Sequence, residues 1–134
     1  QEMSYAIIPH QGRWDQASIS QECSRYSEPI VTQLIDGHSV GAGDEYSLLQ
    51  IDNTGIEVST ILIEEKQLLV RLFNAESNKL EHFVSFSRRP IQAEIIELDG
   101  RHVQKLEIHS VGEDRHGVSL EIPRFGLRVL KCTW

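Results

Sequence analysis

From Tyr46 onward the chain alternates apolar and polar residues with a period of two, and that period decides what it can fold into. Val118, Leu120 and Ile122 are separated by Ser119 and Glu121; Phe125, Leu127 and Val129 are separated by Gly126 and Arg128. Successive side chains of an extended strand point to opposite faces, so the pattern lays one face on a core and turns the other to solvent or a second layer. Residues 68–73 are apolar at nearly every position, as expected of a central strand. Further strands are expected at 48–51, 56–63, 81–86, 93–98 and 103–109, with Phe73, Phe86 and Phe125 in the core. Turn chemistry falls between them at Asn53-Thr54-Gly55, Asn78-Lys79, Asp99-Gly100 and Asp114-Arg115-His116-Gly117. About eight short strands at this spacing, with no long helix among them, predict an all-β fold, an antiparallel β-sandwich.

Residues 1–45 have a different texture. Tyr5 to Ile8 is strand-like and is ended by Pro9; Gly12-Arg13-Trp14-Asp15 then starts a short helix with Asp15 as its expected N-cap. Glu28-Pro29 should stop that helix, because a residue before proline avoids helical angles. The three glycines within 36–44 read as a loop, either a linker between structural regions or, the favoured reading, a flap on one domain. The expectation is one domain over 1–134, with an irregular or helical segment at 1–45 and sandwich strands at 46–134. Because the sequence opens in mid-strand, with Met at position 3, it reads as a piece of a longer protein.

Composition narrows the function classes. The chain is 40% apolar and 25% charged, which is ordinary globular usage. Its net charge of −7, with Arg88-Arg89 the one basic pair, argues against nucleic-acid and anionic-membrane partners. No apolar run approaches the ~20 residues that span a bilayer. Cys23 and Cys132 read as reduced, inert thiols rather than a disulfide, which fits a cytoplasmic protein.

The search for chemistry within the chain returns little. There is no nucleophile elbow, phosphate-binding glycine loop or dinucleotide fingerprint. The six histidines include no pair at a familiar ligand spacing; His102 and His109 on one strand would lie about 23 Å apart on opposite faces. The pairs Asp44-Glu45, Glu64-Glu65 and Glu113-Asp114 are sequence neighbours whose side chains diverge on a strand. Aromatic residues are the remaining lead, since sugars stack their C–H faces on exposed rings. Trp14, beside Gly12 and Arg13, reads more readily as an anchor of the irregular segment than as a sugar platform, and the terminal Trp134 is expected to fray.

The run Tyr5-Ala6-Ile7-Ile8-Pro9-His10, followed by Gly12 and Trp14, resembles a run in the C-terminal half of family 38 glycoside hydrolases, the retaining α-mannosidases. Further matches follow in order: Glu28-Pro29, Tyr46 to Asp52, Leu69-Val70-Arg71-Leu72-Phe73-Asn74, and the ending Leu120 to Leu130. Gln1, Ile8 and Gly126 depart from the family pattern, which has His, Tyr and Glu at those places. The resemblance implies a large enzyme with an N-terminal catalytic domain, a helical bundle and a C-terminal β region. The nucleophile, acid/base residue and zinc ligands of such an enzyme lie on its N-terminal domain, so no catalytic residue, metal ligand or cofactor is carried onto this chain. Its expected partners are the catalytic and helical domains of its parent, whose substrate would be a mannoside. Tyr5, His10 and Trp14 are the residues expected at a sugar cleft or a domain-docking face. The docking reading predicts exposed apolar surface within 1–45. Two alternatives stand beside it: a free-standing carbohydrate-binding module, and a sandwich that mediates contact with another protein chain.

Overall fold

The structure, a computed structural model, describes residues 3–28, 30–32, 46–52, 55–75, 81–112 and 114–134. The expected loop at 36–44, the turns at Asn53-Thr54 and Asn78-Lys79, and the departure at Gln1 lie outside them. The remainder is a sandwich of two antiparallel sheets, as the alternation predicts. Strands β1 (Leu49–Ile51), β4 (Glu81–Phe86), β8 (Arg115–Glu121) and β7 (His109–Val111) form a four-stranded sheet in that spatial order. The five-stranded sheet runs β2 (Ile56–Glu64), β3 (Gln67–Asn74), β9 (Leu127–Thr133), β5 (Gln92–Ile96) and β6 (His102–Leu106).

Register explains the core. Directly opposed residues on neighbouring strands point to the same face. One inner row therefore runs Ile63, Leu68, Cys132, Ala93, Leu106, and the next runs Ile61, Val70, Leu130, Ile95. Val84, Phe86, Val118, Leu120 and Ile122 close on these rows from the other side, and most of this cluster is fully buried. Burial pushes the Cys132 thiol up to about 12. Cys23 is exposed on the helix, and both cysteines are free.

Several expectations are corrected. Tyr5 to Ile8 forms no strand, since no neighbouring backbone pairs with it among the described residues. Asp15 does not cap the helix: it lies inside a 3-10 turn, Trp14–Gln16, and helix α1 (Ile19–Ser27) starts after Ser18. The helix does end where expected, with Glu28 in extended geometry before the proline. The span 103–109 is not one strand but two, β6 in one sheet and β7 in the other, joined across Glu107 and Ile108. His102 and His109 therefore belong to different sheets. The turn expected at 114–117 sits earlier: Arg115, His116 and Gly117 are in β8, and Gly112 supplies the left-handed residue. At Asp99-Gly100 the turn stands as expected, with the Asp99 carboxylate accepting from the Arg101 amide at 3.0 Å.

Two aromatic expectations also change. Phe125 is in the turn before β9 rather than in the core, and Phe73 is only partly buried beside the fully buried Phe86. Trp134 is docked rather than frayed. Its amide donates to the Lys66 carbonyl at 3.0 Å, its indole N–H to the Arg88 carbonyl at 3.2 Å, and its ring meets Phe86 edge-on.

Candidate functional site

Three features outside the core carry polar or aromatic side chains that could meet a ligand or partner. The first is the N-terminal segment. Tyr5 is 80% exposed, and Met3, Ile7 and His10 are exposed with it. Of the expected site residues, Tyr5 and His10 stand on this irregular segment, while Trp14 begins the 3-10 turn. The structure does not gather the three into one pocket.

Trp14 has instead a partner that sequence reasoning assigned elsewhere. Its ring stacks on Phe125, with centroids 5.8 Å apart and planes 25° apart. Both rings are about half exposed, 54% for Trp14 and 49% for Phe125. Phe125 holds φ at +51°, a left-handed conformation that is unfavourable for a bulky residue. The turn Pro123-Arg124-Phe125-Gly126 is closed by the Gly126 amide donating to the Pro123 carbonyl at 2.8 Å, and the Asn74 amide then donates to the Gly126 carbonyl at 2.9 Å. Backbone bonds on both sides thus fix the ring where Trp14 meets it. The signal available in the sequence was Pro123 and Gly126 bracketing Phe125, turn punctuation that the period-two pattern overrode.

The third feature is an acidic groove of about 580 Å³ between α1 and the start of β2. Glu28, Asp52 and Glu57 line it with the hydroxyls of Ser20, Ser24 and Ser59. Ser20 donates to the Glu57 carboxylate, tying the helix to the strand. Behind Asp52 lies a buried polar chain. The Asn74 amide donates to the Ile122 carbonyl at 3.1 Å and meets His82 Nε2 at 3.4 Å; His82 Nδ1 faces the Asp52 carboxylate at 4.0 Å. An amide N–H₂ only donates, so Nε2 is the accepting nitrogen, and the ring proton sits on Nδ1 toward Asp52. Neither Asp52 nor Glu57 stands in an adjacent acid pair, so no sequence pattern marked the groove; the sheets bring them together.

Among the described residues no three His, Cys, Asp or Glu side chains converge to hold a metal ion. Nor is any helix long and apolar enough to cross a membrane among the described residues. Comparison of the chain with family models, with curated proteins and with solved structures finds no match.

Proposed function

We propose that this chain is a non-catalytic accessory β-sandwich of a glycosidase resembling the family 38 α-mannosidases, with hydrolysis of terminal α-mannosides carried out on another domain of its parent. The observation that carries the reading is the exposure of Met3, Tyr5, Ile7, Ile30 and Val31, each by 80% or more. A free-standing soluble domain rarely leaves so many large apolar side chains in water close together in sequence, whereas a surface that docks on neighbouring domains needs them. The ordered series of motif matches from Tyr5 to Leu130 supports the family, and the closed core behind them suits a rigid buttress. Zinc, nucleophile and acid/base residue then belong to the parent's catalytic part, and a cytoplasmic setting accords with two free thiols.

The test is reconstitution. The chain alone should not hydrolyse 4-nitrophenyl α-mannoside. Mixed with a separately produced catalytic and helical part of its parent, it should raise that part's melting temperature and activity. Replacing Met3, Tyr5 and Ile7 together by serine should abolish the gain. Hydrolysis by the chain alone, or a catalytic part indifferent to it, would overturn the proposal.

One observation favours a second reading. The stacked, half-exposed Trp14 and Phe125 rings offer the aromatic surface that a carbohydrate-binding module would use. On that reading the sandwich itself recognises sugar, and the C–H face of a pyranose would lie on the outer face of one of these rings.

A further inference from the structure

In the five-stranded sheet the inner row from Ile63 to Leu106 is apolar from end to end, and the row beside it is apolar from Ile61 to Ile95 before it reaches the exposed Gln104 on β6; at the β2 end both rows are apolar and uncovered. On β3, β9, β5 and β6 the row residues Leu68, Val70, Leu130, Cys132, Ala93, Ile95 and Leu106 are buried. On β2 the same rows finish in Ile61 and Ile63, which are 54% and 71% exposed. The register shift between Val58 and Thr60 makes this deliberate in the sequence. One extra residue resets the alternation, so that Ile56, Val58, Ile61 and Ile63 all face inward opposite Asn74, Leu72, Val70 and Leu68. Leu62, on the outer face, is exposed as well.

Among the described residues β2 is also an edge, paired on one side only, by β3. The other sheet edges follow the usual protections: β1 and β7 have three residues each, and β6 is short with polar residues alternating along it. β2 has nine residues, and from Thr60 to Ile63 it carries no charge. A long edge with apolar side chains on both faces is a template for another strand. Its two ends differ. Glu28, Asp52 and Glu57 line the groove at its start, whereas at its end a second groove of about 480 Å³ is lined by Leu48, Ile63, Ile91 and Trp134 with charges of both signs.

We propose that the outer edge of β2 is a strand-addition site for an extended segment of a partner protein, paired antiparallel, whose alternate residues are apolar and whose C-terminal end is basic. The inward residues of that segment would extend the two rows past Ile61 and Ile63, and its basic end would lie in the acidic groove. A second copy of this chain fits less well. Antiparallel pairing of β2 with itself brings the acidic Glu64-Glu65 end of one copy toward the acidic groove of the other, and each copy carries a net charge of −7. The site is separate from the N-terminal apolar segment and does not depend on the accessory-domain reading.

The probe is a fluorescein-labelled peptide, Val-Thr-Val-Thr-Val-Lys-Lys, titrated with the chain and followed by anisotropy at low salt. Saturable binding is expected. Glutamates in place of both lysines should weaken it at least about tenfold, and N-methylation of alternate amides should abolish it, because the ladder hydrogen bonds go. Ile63→Lys, at an exposed position that leaves the core intact, should weaken binding at least about tenfold by placing a charge on the edge. Equal binding of the N-methylated peptide would overturn the proposal. So would no saturation up to millimolar chain, or a chain that sediments as a dimer until Ile63→Lys makes it a monomer, which would assign the edge to a second copy.

Discussion

A Cβ built on Gly117 would lie 2.4 Å from the Phe83 ring and 2.7 Å from the Val84 carbonyl oxygen. The carbonyl belongs to the β4–β8 ladder, in which Val84 opposes Val118 and Ser85 opposes Gly117, so it cannot give way without disturbing that ladder. Gly117→Ala should therefore cost about 2–3 kcal/mol as an overpacked site, read as a lower urea midpoint with an unchanged slope. A loss under roughly 0.5 kcal/mol, the level of an ordinary surface change, would mean that β4 and β8 are not paired as described. Gly117 was visible in the sequence only as a turn glycine. Its real requirement is the close approach of β4, with the Phe83 ring and the Val84 carbonyl against it, and no local pattern encodes contacts 34 and 33 positions away. Phe125 errs the other way, an apolar residue in phase with Leu127 and Val129 whose turn lifts it out of the core.

Among the elements, alternation carried nearly all of the strand assignment, because a half-buried strand must alternate and the turn residues between strands are chemically distinct. It failed where alternation is ambiguous. Val103 to His109 stays mixed through the passage from β6 to β7, so a change of sheet leaves no mark. Tyr5 to Ile8 has strand composition but no pairing neighbour among the described residues, and pairing rather than propensity makes a strand. The link between β5, β6 and β9 offers a pH test. The Glu94 carboxylate accepts from His102 Nδ1 at 2.6 Å and from Lys131 Nζ at 3.2 Å. Burial alone would raise its pKa; the two bonds together outweigh that and hold it below the usual carboxylate range. The unfolded chain then binds the proton more readily, so this contribution is full above the ordinary carboxylate range and disappears as pH falls through the folded value. Glu94→Gln should destabilise by about 0.5–1 kcal/mol at pH 7, and the gap between mutant and parent should close as the pH falls below the carboxylate range. A gap that is constant or widens with acid would contradict this assignment.

For the whole molecule, the sandwich was legible and the sites were not. Fold class follows from a pattern repeated along the chain, whereas the stacked Trp14 and Phe125, the groove between Ser20 and Glu57, and the uncovered rows at Ile61 and Ile63 depend on which strands become neighbours. Among the described residues a closed interior stands beside open apolar surface on the N-terminal segment and on the β2 edge. In the proposed account both face protein, and neither faces substrate. The most direct measurement is a titration of the chain with mannose and short manno-oligosaccharides, followed by tryptophan fluorescence and by calorimetry. The account predicts no saturable signal up to millimolar sugar. Saturable binding that disappears in Trp14→Ala would contradict it and establish the sandwich as a sugar-binding module.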